Sequence, residues 1–147
     1  MLLDKKIHGL FSVIIATVLV TALTIYLTPL KNLNLIEPKI NEISPEEFNT
    51  LYQANPDKYI FIDVRSEDSY NTLHAVGSIS MPLHTLYEQR HILPKYNQEI
   101  VLICSGFSAS GVGFSYLQHF GFFNIKRVTG GIESWKIAGL PVESTLK

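Results

Sequence analysis

The residue with the clearest capacity for nucleophilic chemistry in this 147-residue chain is its one cysteine, Cys104. It ends Glu99-Ile100-Val101-Leu102-Ile103, an apolar run of strand length. It precedes Ser105-Gly106-Phe107-Ser108-Ala109-Ser110-Gly111, mostly small residues that lead into a helix-like stretch through Tyr116, Leu117 and Phe120. In open α/β sheets ligands bind beyond the carboxyl ends of the strands, which is where this placement puts the thiol. Successive backbone N–H groups of such a loop form an anion-binding nest, and a helix N-terminus adds about half a positive charge. Both hold negative charge on a sulfur seated there, which is the condition for a nucleophilic cysteine. In mid-strand the same residue would read as buried apolar filler; the strand-to-nest junction favours reactivity. A lone cysteine excludes an intrachain disulfide and any paired-cysteine metal or redox motif.

Other candidates carry less. Asp63 and Arg65 close the other strong strand, near where Cys104 should sit; they either act in the site or, the commoner role for such a pair, fasten a loop. His84, His91 and His119 share no ligand spacing with one another or with a carboxylate, so no metal is expected. Trp135 reads as core. Phe107 stands in a loop otherwise built of small residues and reads as the lip of a pocket mouth, suited to a protein or lipid-like donor.

The elements that must position these residues alternate. Ser44-Pro45-Glu46-Glu47 is a capping box with Pro at the first helical position, Phe48 and Leu51 give its helix an apolar stripe, and Asn55-Pro56-Asp57 ends it. Tyr59-Ile60-Phe61-Ile62-Asp63-Val64 reads as a buried parallel strand. After the Cys104 strand and helix, Gly121 is a helix stop, Phe123 to Val128 a short strand, Gly130-Gly131 a turn, Ile132 to Ile137 a last helix, and Gly139-Leu140-Pro141 the close. This order predicts an α/β domain with a mainly parallel central sheet covered on both faces.

The start of the chain differs in kind. Residues 1–8 form a short tail, and from Gly9 to Leu27 the sequence is uncharged and apolar apart from small hydroxyl residues. At 1.5 Å per residue this run spans roughly 28 Å, near the thickness of a bilayer core. Lys5 and Lys6 precede it, Thr28-Pro29 ends it, and Tyr26 lies where an interfacial aromatic would. Its length and its poor cleavage site favour an uncleaved single-pass transmembrane helix over residues 9–29 rather than a signal peptide. Residues 30–39 read as a tether and 40–147 as the domain. Lys5 and Lys6 against Lys31 and Lys39 give a nearly balanced count, with the abutting pair pointing to a domain outside the cytoplasm. The 46% hydrophobic content owes its excess to this segment; a net charge of −1 without a basic tract excludes nucleic acid as a partner.

From about Ile43 to Pro141 the chain resembles the rhodanese-like sulfurtransferases. Ile62-Asp63-Val64-Arg65 with Glu67 and Tyr70 is similar to the family's first signature. His74-Ala75-Val76-Gly77-Ser78-Ile79-Ser80-Met81-Pro82 is similar to its histidine–glycine–proline segment. Gly121-Phe122, Val128, Gly130-Gly131-Ile132 and Trp135 are similar to its C-terminal signature. The resemblance implies the three-layer rhodanese-like fold and a catalytic Cys104 that takes sulfane sulfur from a donor, holds it as a persulfide and yields it to a thiol acceptor, with no metal or other cofactor. It implies that residues Ser105, Gly106, Phe107, Ser108, Ala109 and Ser110 form the substrate-binding loop, with Asp63 and Arg65 supporting and His74 anchoring a loop. Active members generally close this loop with an arginine where this chain has Ala109, and Ser105, Phe107 and Ser108 are uncharged. One lost charge-assisted contact costs about 1.5–3 kcal/mol, so thiosulfate, a dianion, is disfavoured against a less charged persulfide. Cysteine phosphatases need an arginine where this chain has Ser110, which excludes that chemistry. Two readings remain: a membrane-anchored sulfurtransferase or persulfide carrier, and a binding module that recruits a partner at the membrane.

Overall fold

The computed structural model describes residues 2–27, 40–106 and 108–146, without the side chains of residues 2–7, 25 and 27. The chain divides into an N-terminal unit, 1–38, and a domain, 39–147.

The N-terminal unit contributes helix α1 (Leu2–Leu27). Its Ser12, Thr17, Thr21 and Thr24 hydroxyls donate to carbonyls of the preceding turn, Thr17 Oγ1 to Val13 O at 3.0 Å among them, and every large apolar side chain from Leu10 to Leu23 is exposed. The transmembrane helix expected over residues 9–29 is not found: among the described residues no helix is long and apolar enough to cross a membrane. The helix begins at Leu2, so its first turns hold Asp4, Lys5 and Lys6. Those charges and the hydroxyls of Ser12, Thr17, Thr21 and Thr24 lower the mean hydropathy of the helix. The close of the expected span and the tether, 30–39, lie outside the described residues.

In the domain, strands β1 (Glu42–Ile43), β2 (Tyr59–Asp63), β4 (Ile79–Ser80), β5 (Glu99–Ile103) and β6 (Ile125–Val128) form one sheet in the order β1-β6-β5-β2-β4. Every pairing in it is parallel. Strand β5 is central, with Phe61 opposite Val101 and Asp63 opposite Ile103. Its residues are buried on both sides, which is why no polar alternation interrupts the sequence. Ile100, Leu102 and Cys104 face one core with Ile62, Leu86, Phe114 and Leu117. Val101 and Ile103 face the other with Phe48, Phe61, Ile132 and Trp135.

Helices α2 (Pro45–Ala54) and α6 (Gly131–Ile137) supply the Phe48–Trp135 face, and α4 (Leu83–Gln89) and α5 (Ser108–His119) the other. The N-cap half of the capping box is in place: Ser44 Oγ accepts from Glu47 N at 3.2 Å. Phe48 is an aromatic hub, edge-on to Phe61 with centroids 4.7 Å apart. Trp135 is core, its indole N–H donating to Pro141 O at 2.9 Å. A short helix α3 (Glu67–Thr72) and an antiparallel pair, β3 (His74–Ala75) with β7 (Val142–Glu143), complete the domain. The structure is thus an α/β fold with a parallel central sheet covered by helices on both faces.

Candidate functional site

Cys104 lies where β5 ends, 1% exposed, directly before the loop that starts α5. Its sulfur has three polar neighbours. The Gly106 N–H donates to it at 3.3 Å, the thiol reaches the Ser110 hydroxyl at 3.1 Å, and it also donates to the Gly106 carbonyl. The backbone therefore folds back over the sulfur within two residues, which a small, uncluttered sequence permits. Ser110 is fully buried one turn into α5 and faces the sulfur rather than solvent. Ser105 and Ser108 are exposed, Gly106 and Ala109 half-buried, and Phe107 lies outside the described residues.

The opposite wall comes from the Gly130-Gly131 turn, which sequence reasoning placed as a turn but not as part of the site. Ile132 N donates to Cys104 O at 2.7 Å. Gly131 has φ +61°, and a Cβ there would sit 2.1 Å from Cys104 O and 3.1 Å from Gly106 N. Only glycine allows α6 to approach the loop this closely. The legible signal was the paired glycine after a strand; what it approaches became visible only in three dimensions.

Asp63 and Arg65 hold the neighbouring strand end. Asp63 is fully buried and takes Arg65 Nε at 3.0 Å and Nη2 at 2.6 Å, while Arg65 Nη2 also donates to Leu73 O at 2.6 Å. The Asp63 carbonyl accepts from Met81 N at 2.9 Å, and Val64 N donates to Ile103 O at 3.0 Å. The pair ties the segment after β2 to the Leu73 carbonyl just before β3, and among the described residues it makes no contact with the sulfur. His74 is an anchor too: its ring stacks on Tyr70 at 3.8 Å, Nδ1 meets Tyr70 O at 2.8 Å, and Nε2 lies 3.3 Å from Glu143. The Tyr70 hydroxyl donates to Ser78 O at 2.5 Å, and burial raises its pKa above the usual 10.0.

A cleft of about 490 Å³ opens at the carboxyl ends of β2 and β4, lined by Val64, Ser66, Glu67, Asp68, Pro82, Leu83 and His84. Val64 packs in the same core cluster as Cys104. The lining carries two carboxylates and neither arginine nor lysine. His84 belongs to this cleft, His91 to a turn after α4 and His119 to the end of α5, so the structure does not bring the three together.

A parallel sheet between two helical layers, with a cysteine loop cradled between β5 and α5 and backed by a double-glycine turn, is the arrangement of a rhodanese-like α/β domain. The match to the rhodanese-like domain model runs over residues 44–138, and the chain belongs to that family, which includes sulfurtransferases. It is 30% identical over 109 residues to a tRNA uridine(34) hydroxylase of Photorhabdus laumondii, covering 68% of this chain and 30% of that protein. It is 28% identical over 113 residues to the adenylyltransferase and sulfurtransferase UBA4 of Saccharomyces cerevisiae, covering 69% of this chain and 26% of that protein. The chain thus spans under a third of these relatives' length. Among solved structures, the rhodanese-related protein of Thermoplasma volcanium is 28% identical with a TM-score of 0.60, covering 70% of this chain and 97% of that one.

Proposed function

We propose that this chain is a sulfurtransferase or persulfide carrier that moves sulfane sulfur through a persulfide on Cys104. The observation that carries the reading is the seat of the sulfur, with the Gly106 N–H at 3.3 Å and the Ser110 hydroxyl at 3.1 Å at the head of α5. In the first half-reaction the Cys104 thiolate attacks the outer sulfur of a donor persulfide. The donor's S–S bond breaks, its thiolate leaves, and Cys104 carries S–S⁻. In the second, an acceptor thiolate attacks that outer sulfur, the Cys104 S–S bond breaks, and Cys104 is regenerated. No external oxidant or reductant enters. The Gly106 N–H and Ser110 O–H are the donors available to the anion in both steps.

The partners are a sulfane-sulfur donor of low charge and a thiol acceptor, small or protein-borne. Two observations support the low charge: Ala109 stands where an arginine would clamp an oxyanion, and the adjoining cleft adds Glu67 and Asp68 without a basic residue other than His84. The test is transfer from glutathione persulfide to cysteine by the full chain. We expect turnover that is lost in Cys104→Ser and is faster than turnover with thiosulfate. Equal rates with the two donors would remove the donor assignment, and no turnover with either would remove the enzyme.

A second reading, a rhodanese-like binding module that recruits a protein partner, draws on the near-complete burial of Cys104 and on the bond from its thiol to the Gly106 carbonyl, both of which restrain attack. In either reading we propose that helix α1 holds the domain at a membrane, on the extracytoplasmic side. The support is the exposed apolar side chains from Leu10 to Leu23, the self-bonded hydroxyls and the Lys5–Lys6 pair that precedes this apolar stretch. Protease accessibility of the domain in intact and opened cells tests the side; cleavage only in opened cells would reverse it.

A further inference from the structure

We infer that the end of the domain opposite Cys104 is a docking face for an anionic membrane surface. Because β5 and β6 are parallel, Glu99 and Ile125 begin at one end of the sheet, and Cys104 leaves at the other. Five residues of β5 set the two ends roughly 17 Å apart. At the starting end a cavity of about 440 Å³ is lined by Arg90, His91, Leu93, Lys95, Phe120 and Phe122.

Its two permanent cations are held by rings and carbonyls. Arg90 lies 4.1 Å from the centroid of Phe120 and donates to Tyr87 O at 2.8 Å. Lys95 lies 5.1 Å from the centroid of Phe122 and donates to Phe120 O at 2.7 Å. Neither has a carboxylate within ion-pair distance among the described residues, whereas Glu99 at this end is occupied by Lys126. Asp57 and Lys58, at the start of β2, offset one another, and Glu88 meets His91 only through its carbonyl. Beside these cations Ile92, Tyr96 and Phe123 are 62%, 77% and 76% exposed. The two loops that carry them are one unit, since Asn124 donates to the carbonyls of Pro94 and Gln98.

Unpaired cations next to exposed aromatic and aliphatic side chains match the headgroup level of an anionic leaflet, where charge and amphipathic rings are both favoured. A domain seated in this way presents the Cys104 loop to water.

The test is hydrogen exchange on the full chain with phosphatidylglycerol vesicles and with phosphatidylcholine vesicles. The readout is segmental because an apolar helix enters both lipids. Slower exchange at residues 90–97 and 119–124 in phosphatidylglycerol only, with 104–110 unchanged, is the expected result. In the R90Q/K95Q double variant the docked-to-undocked ratio should fall roughly thirty-fold. Phe123→Ser, which keeps both cations, should weaken docking as well, and 1 M salt should remove it. Equal exchange in the two lipids, or protection of 104–110 in place of 90–97, would overturn the inference. Neither outcome depends on sulfur transfer.

Discussion

Replacing Gly131 by alanine probes the wall behind Cys104 without touching the sulfur. The added Cβ would lie 2.1 Å from Cys104 O, 2.9 Å from Cys104 C and 3.1 Å from Gly106 N, all backbone atoms of the reactive loop. The clash cannot be relieved by turning a flexible side chain, so α6 or the loop must move. Holding φ near +61° costs an L-residue a further 1–2 kcal/mol or so. Overpacking of a tight site adds about 1–3 kcal/mol. Together these give a loss of roughly 2–5 kcal/mol. Relief by retreat of α6 would break the 2.7 Å bond from Ile132 N to Cys104 O and loosen the cradle. Denaturant unfolding of Gly131→Ala measures the first effect, and the alkylation rate of Cys104 under native conditions measures the second; we expect lower stability and faster alkylation. A change of less than about 0.5 kcal/mol, the range of ordinary surface substitutions, together with unaltered alkylation would refute the close approach.

Asp63→Asn leaves Arg65 without its buried carboxylate and should destabilise the domain by about 3–5 kcal/mol, read by denaturation; a loss under 1 kcal/mol would show that the pair does not fasten the loop. Ala109→Arg should raise kcat/KM for thiosulfate roughly ten- to a hundredfold, the value of one charge-assisted contact, and leave glutathione persulfide nearly unaffected. Ser110→Ala removes a buried partner of the sulfur and should slow persulfide formation while costing about 1 kcal/mol of stability. Tyr70 has a raised pKa in the folded state, so its contribution is complete below pH 10 and is lost as pH rises through the folded value; Tyr70→Phe should lessen the alkaline loss of stability.

The long elements were legible because each had a one-dimensional cause. Glu99–Ile103 is apolar without alternation because both its faces are covered, and Ser44 with Glu47 spells out a helix start. Strands β1, β3, β4 and β7, two residues each, carry no period and exist only through partners distant in sequence, such as Ala75 with Val142. The cysteine at a strand end was readable, as was the placing of Asp63 and Arg65 at the end of the other strong strand. The part played by Gly131 was not, because it rests on a contact between residues far apart in the chain. The expected membrane span is not found because the apolar run belongs to a helix that also holds Asp4, Lys5 and Lys6 and is interrupted by hydroxyl residues.

The most direct measurement is the intact mass of the full chain after brief exposure to glutathione persulfide and removal of excess donor. The proposal predicts a species one sulfur atom heavier, mapped to Cys104, absent from Cys104→Ser and discharged by added thiol. A wild-type mass unchanged with every sulfane-sulfur donor would contradict it.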